Sequence, residues 1–161
     1  MMSIAVGADH RGMDVLSHIT LILQHQGCQV LELGTCSTKR CDYPDIAFPV
    51  ARAVARREAN HGILVGGSGI GMSIAANKVK GVRAALVHDE IGAEMSRRHN
   101  DANVLCLPAD LLGLRIIERI VQVWLRTGFD GGRHARRVNK VLAIEAGHSP
   151  IAAAGPAMGA E

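Results

Sequence analysis

The chain has 161 residues, 48% of them hydrophobic but only 2% aromatic, and a formal net charge of +3. That is enough apolar content for one domain whose core is Ala, Val, Ile and Leu, as in a sheet covered by close helices. No 18-residue apolar run exists to span a membrane, no leader is expected before the first strand, and a mild charge with few stacking aromatics argues against nucleic-acid binding.

Ser3 to Gly7 is a short β-rich run ending in Ala-Asp-His. Met13, Leu16, Ile19 and Leu23 then recur at helical spacing, with Gly27 where a C-cap belongs. Gln29 to Leu33 reads as a second strand closed by Gly34, and a polar loop runs to Pro44. Ile46, Val50 and Val54, with Ala47 and Ala51, mark the next helix. Gly62 to Val65 is strand three, and Ile70 to Lys78 opens a third helix. Arg83 to Val87 is strand four, followed by a helix through about Arg98; Asn103 to Leu107 is strand five. Leu112, Ile116, Ile120 and Trp124 predict a long helix to Arg126, and a last helix runs from about Arg133 to Ala146.

This alternation predicts an α/β fold: a single-domain, Rossmann-like three-layer sandwich with a five-stranded parallel sheet and helices on both faces, over residues 1–146. Residues 147–161 lack periodicity and read as a flexible C-terminal tail. Cys28, Cys36, Cys41 and Cys106 show neither CxxC nor zinc-type spacing and read as free thiols in a reducing cytosol. Ligands of such sheets bind at the carboxyl ends of the strands, which selects Asp9 and His10 after strand one, the turn after strand three, and Cys106 after strand five.

The turn after strand three is the most informative stretch. Gly66, Gly67, Gly69 and Gly71 fall within six residues, between an apolar strand and a small-residue helix. Backbone N–H groups gathered there, with the helix N-terminus behind them, make a cradle for an anion, bound or formed during a reaction. It is not a dinucleotide fingerprint, because Met72 or Ser68 stands where a required glycine should be, and it lacks the Gly-Lys-Ser/Thr of a P-loop. Asp9-His10 beside it either handles protons and orients a sugar or is a helix cap and a loop histidine. His99-Asn100-Asp101 ends a helix, where His99 either complements the dipole or acts as an acid–base group with an amide neighbour. Arg133 and Arg137, four apart, either clamp a phosphate or form a solvated basic face.

Gly-Ala-Asp-His near the start, Asp-Tyr-Pro at 42–44, Gly-Gly-Ser-Gly-Ile-Gly and Ala-Ala-Asn-Lys within 66–78, Gly-Val-Arg-Ala at 81–84, Arg-His-Asn-Asp-Ala-Asn-Val-Leu at 98–105 and Gly-Gly-Arg-His with Arg-Val within 131–138 occur in one order. Together they resemble the ribose-5-phosphate isomerase B group of the ribose/galactose isomerase family, over about residues 3–146. The resemblance implies a cytoplasmic aldose–ketose isomerase acting on a small sugar or sugar phosphate through an enediolate, without metal or cofactor. It implies no nucleic-acid or membrane partner, and a homodimer or homotetramer with shared active sites. Carried over by position, His99 opens the sugar ring and Asn100 neighbours it. Asp9 and His10 contact the substrate, and Ser68 with the amides of Gly67, Gly69 and Gly71 lines the oxyanion site. Arg133, His134 and Arg137 hold the phosphate end, and Tyr43 lies close to the pocket.

The departures from the family are specific. Its proton-transfer base is a cysteine at the position of Gly66 in one branch and a glutamate at that of Met72 in another, and this chain has neither. Asp9, Asp110, Cys36 and Cys41 are the substitutes, in falling order of preference. Asp110 stands where an arginine is usual; it would repel a phosphate dianion yet could accept hydrogen bonds from sugar hydroxyls. The alternative to an active isomerase is a base-less sugar-phosphate-binding or partner subunit.

Overall fold

The computed structural model describes residues 1–35 and 40–151 of the chain. Its strands are β1 (Ser3–Ala8), β2 (Gln29–Thr35), β3 (His61–Gly66), β4 (Ala84–Leu86) and β5 (Val104–Pro108). They form one parallel sheet in the order β2-β1-β3-β5-β4. The helices are α1 (Met13–His25), α2 (Tyr43–Ala55), α3 (Ile70–Ala76), α4 (Glu90–Asn100), α5 (Leu114–Arg126) and α6 (Arg133–Glu145). The expected fold class is the one that forms.

Side chains alternate across a strand, and here both faces are apolar. Ile4, Val6, Ala8, Ile63, Val65, Leu105 and Leu107 pack with α1, α5 and Ala93 of α4. Ala5, Leu64, Val104 and Cys106 pack with α2 and α3. The second layer lies close because small residues face it: a methyl added to Gly62 would meet Val50, Val54 and Val104 at 3.0–3.2 Å. Gly27 has φ +75°, as a glycine just past a helix end should.

Several expectations need correction. In α5 the buried stripe is Ile117, Ile120, Val121 and Trp124, whereas Ile116 is 41% exposed. The run of apolar residues around position 116 permits either face, and contact with the sheet selects Ile117. Cys106 lies within β5 rather than after it; its side chain is fully buried, and burial raises its thiol pKa. Cys28 and Cys106 are free thiols, but Cys41 is disulfide-bonded, and Cys36 lies outside the described residues. Residues 147–151 contain turns, and the rest of the expected tail also lies outside the described residues. No described helix is long and apolar enough to cross a membrane.

The sheet order puts β1 beside β3 while the chain leaves them toward opposite edges. A crevice therefore opens at their carboxyl ends, where Asp9 and the glycine turn lie.

Candidate active site

β3 ends at Gly66, and Gly69 turns the chain into α3 with φ +72°. A Cβ on Gly69 would strike Leu86 at 2.7 Å and the Leu107 carbonyl at 3.0 Å, so conformation and space both demand glycine there. The carbonyls of Gly66 and Gly67 accept hydrogen bonds from the N–H groups of Ala109 (2.8 Å) and Asp110 (3.0 Å). The turn's N–H groups are left over: among the described residues those of Gly67, Ser68 and Gly69 donate to no acceptor. Ser68 Oγ accepts from the N–H of Ile70 at 3.3 Å. Since α3 has only seven residues, the positive character of this cradle comes mainly from these amides.

Asp9, His10, Arg11, Tyr43 and Asp110 surround the turn or its neighbours. The N–H of Asp9 donates to the Val65 carbonyl at 3.2 Å, which ties the end of β1 to that of β3. The Asp9 side chain is buried, and its Oδ1 accepts from the N–H of Arg11 at 2.9 Å. Its Oδ2 makes no hydrogen bond among the described residues and would lie 3.2 Å from a Cβ on Gly66, with Met72 Cγ at 3.1 Å on the other side. His10 Nδ1 is buried and has no hydrogen-bond partner among the described residues. The Tyr43 ring packs on Gly71, leaving no room for a side chain there. Arg11 Nε donates to Asp110 Oδ2 at 2.5 Å, and this ion pair lies directly against Gly67. Asp110 holds the Arg11 pKa above its ordinary value.

The remaining predicted residues gather toward the amino-terminal end of the strands. His99 and Asn100 end α4, and Asp101 (φ 46°) caps it. The His99 and His134 rings stack with centroids 4.1 Å apart and planes 3° from parallel. Burial, then the positive charge of His99, Arg133 and Arg137, lowers the His134 pKa. Arg98 Nε donates to both Asp130 oxygens, at 3.2 and 3.1 Å, which lowers the Asp130 pKa. Arg133 and Arg137 are exposed and make no ion pair among the described residues. Asn100 and Arg137 line a groove of about 500 Å³ with Arg83, Val138, Val141 and Ile144. Ligand atoms of His99, Asp130 and His134 lie within 4.8 Å of one another. Stacked imidazoles, however, aim their in-plane lone pairs side by side, and Asp130 is held by Arg98, so the three do not converge on an ion.

One chain therefore does not bring all the predicted residues together. Gly66 pairs with Pro108 at one end of β5, and the α4 residues lead into Val104 at the other, a strand length of about 13 Å away. Asp9, His10, Tyr43, Gly67, Ser68, Gly69 and Gly71 form one half; His99, Asn100, Arg133, His134 and Arg137 lie with the other. Arg11 was missed. Its place beside Asp9-His10 was the available signal, but its pairing with Asp110 depends on the alignment of β1, β3 and β5.

A strand-end anion cradle beside a buried carboxylate, on a doubly wound sheet, is the architecture of an enzyme that stabilises a developing oxyanion. Comparison with known proteins identifies the family. The family model described as Ribose/Galactose Isomerase matches residues 4–141. Ribose-5-phosphate isomerase B of Escherichia coli is 44% identical over 145 residues, covering 90% of this chain and 97% of that one. The structure of Clostridium thermocellum ribose-5-phosphate isomerase B superposes with a TM-score of 0.89 at 44% identity, covering 91% and 99%. The Mycoplasma genitalium ribose-5-phosphate isomerase B with bound ribulose-5-phosphate gives 0.87 at 39% identity, covering 90% and 97%. The chain belongs to the ribose/galactose isomerase family.

Proposed function

We propose that this chain is an aldose–ketose isomerase that interconverts ribose 5-phosphate and ribulose 5-phosphate through an enediolate. The observation that carries the chemistry is the row of N–H groups at Gly67, Ser68 and Gly69, without acceptors among the described residues, beside Asp9 Oδ2, which makes no hydrogen bond among them. Asp9 takes the C2 proton of the open-chain aldose and delivers it to C1, while the O2 hydroxyl proton passes to O1. The amides, with Ser68, neutralise the oxygen that becomes negative meanwhile. Gly66 and Met72 leave two usual base positions without a base, but the Asp9 carboxylate borders the space in front of Gly66. Together with close relatives named as isomerases, this favours an active enzyme over a base-less partner subunit.

His99 opens the ring, Asn100 contacts the sugar, and Arg133, His134 and Arg137 take the phosphate. They do so from a second copy of the chain, because in one copy they stand at the opposite end of the strands. Tyr43 and Phe48 of α2 and Ile70 and Ile74 of α3 are 44–56% exposed, an apolar surface beside the cradle suited to receiving that copy. A cytoplasmic location goes with this reading, since a phosphorylated sugar does not cross a bilayer unaided.

Purified protein mixed with ribose 5-phosphate in deuterated water should form ribulose 5-phosphate and incorporate deuterium at C1 or C2. Neither turnover nor exchange, with ribose 5-phosphate or a panel of phosphorylated aldoses, would overturn the assignment.

A further inference from the structure

We propose that Arg11 is a specificity-determining residue that grips the substrate's phosphate, and that Asp110 competes with that phosphate for its guanidinium; this builds on the isomerase reading. The Arg11 side chain runs over Gly67, where a Cβ would come within 3.0 Å of its Cδ and Nε. Only Nε is used by Asp110. The two terminal nitrogens donate to no acceptor among the described residues, and the side chain is 57% exposed. A guanidinium with a free fork at the rim of an anion cradle matches two oxygens of a phosphate monoester. Its place at the rim suits the end of the substrate remote from the reacting carbons, which the amides beyond Gly66 serve.

The pair with Asp110 does not disable this role. An exposed ion pair is weakly held, so a dianion can take over from a monoanionic carboxylate at little cost. Until then Asp110 parks the guanidinium, and the backbone N–H of Arg11, bound to Asp9 Oδ1, fixes the root of the side chain. Asp110 also opposes an incoming dianion. Its removal should therefore improve phosphate binding, an effect opposite in sign to structural damage.

The test measures ribose 5-phosphate isomerisation, and binding of ribose 5-phosphate and inorganic phosphate by calorimetry, for wild type, Arg11→Gln, Asp110→Asn and the double variant. Arg11→Gln should raise KM about 10–100-fold while kcat stays within about 3-fold. Asp110→Asn should lower KM and tighten inorganic phosphate. The double variant should recover part of the loss, because the carboxylate left unpaired by Arg11→Gln is gone. Unphosphorylated ribose should bind all four proteins alike. An unchanged KM in Arg11→Gln, or a higher KM in Asp110→Asn, overturns the proposal while wild-type turnover leaves the isomerase intact. If wild type binds ribose 5-phosphate without turning it over, the isomerase fails, and the calorimetric ratio between wild type and Arg11→Gln alone decides the role of Arg11.

Discussion

Asp9 carries the heaviest chemical assignment of any single residue. Its carboxylate is anchored through Oδ1 by the N–H of Arg11, and Oδ2, on the side of Gly66, makes no hydrogen bond among the described residues. Asp9→Asn keeps the acceptor for Arg11 and removes the base. It should lower kcat by about 10²–10⁴-fold with little change in KM, the range a general base supplies. The structure also offers a rescue. A side chain at Gly66 would lie between Asp9 and Met72 at 3.1–3.2 Å, which is tight, but the flexible methionine can give way. Gly66→Cys added to Asp9→Asn should restore a measurable part of kcat, now dependent on a thiolate and sensitive to iodoacetamide. Asp9→Asn with undiminished kcat would move the base elsewhere, and of the alternatives Asp110 is already engaged with Arg11.

Among the elements, β3 has different neighbours at its two ends. At its carboxyl end stands the cradle; at its amino end His61 packs edge-on to Trp124 of α5, with ring centroids 5.0 Å apart, and Arg97 of α4 lies over the same indole at 5.2 Å. Burial first, then the nearby Arg97 charge, pushes the His61 pKa from 6.5 down to about 4. The folded state thus keeps His61 neutral where the unfolded chain would protonate it. The stability this contributes is complete above pH 6.5 and declines as pH falls toward about 4. His61→Phe keeps an aromatic edge against Trp124 and abolishes the titration. A series of melting temperatures should show a shallower decline for the variant between those two pH values. Parallel curves would mean that His61 does not sense pH.

The strands and helices were legible in the sequence because alternation and helical spacing are local signals. Ile4, Val6 and Ala8 face one helical layer and Ala5 the other, as a period of two requires. Errors fell where tertiary contact chooses between local options, as between Ile116 and Ile117 in α5. The glycine turn was legible as a cluster of backbone N–H groups without acceptors among the described residues, because that feature is built from the backbone of one short stretch. Arg11 was not, because its meaning comes from Asp110, which lies 99 positions away and is brought to it by the strand order β1-β3-β5. Nor could spacing show that His99 and Gly67 stand at opposite ends of the strands. Motifs give an inventory of a site, and topology assigns its parts to one chain or to two.

For the whole molecule, that division makes a decisive prediction. If each site takes its cradle and Asp9 from one copy and His99 from another, the variants Asp9→Asn and His99→Ala should each be inactive as pure proteins, since every site lacks one group. Mixed, unfolded and refolded together, they should regain about a quarter of wild-type activity, because half of randomly formed dimers are mixed and each contains one intact site of two. Sites built within single chains would stay inactive in every mixture. The exposed apolar residues on α2 and α3 supply a control: Ile74→Glu, 56% exposed in the single chain, should weaken assembly, and activity should then rise and fall with the dimer population in sedimentation. A fully active monomer would return His99 to a role within its own chain, and the parallel stack on His134 toward the opposite end of the strands offers no route from there to the cradle.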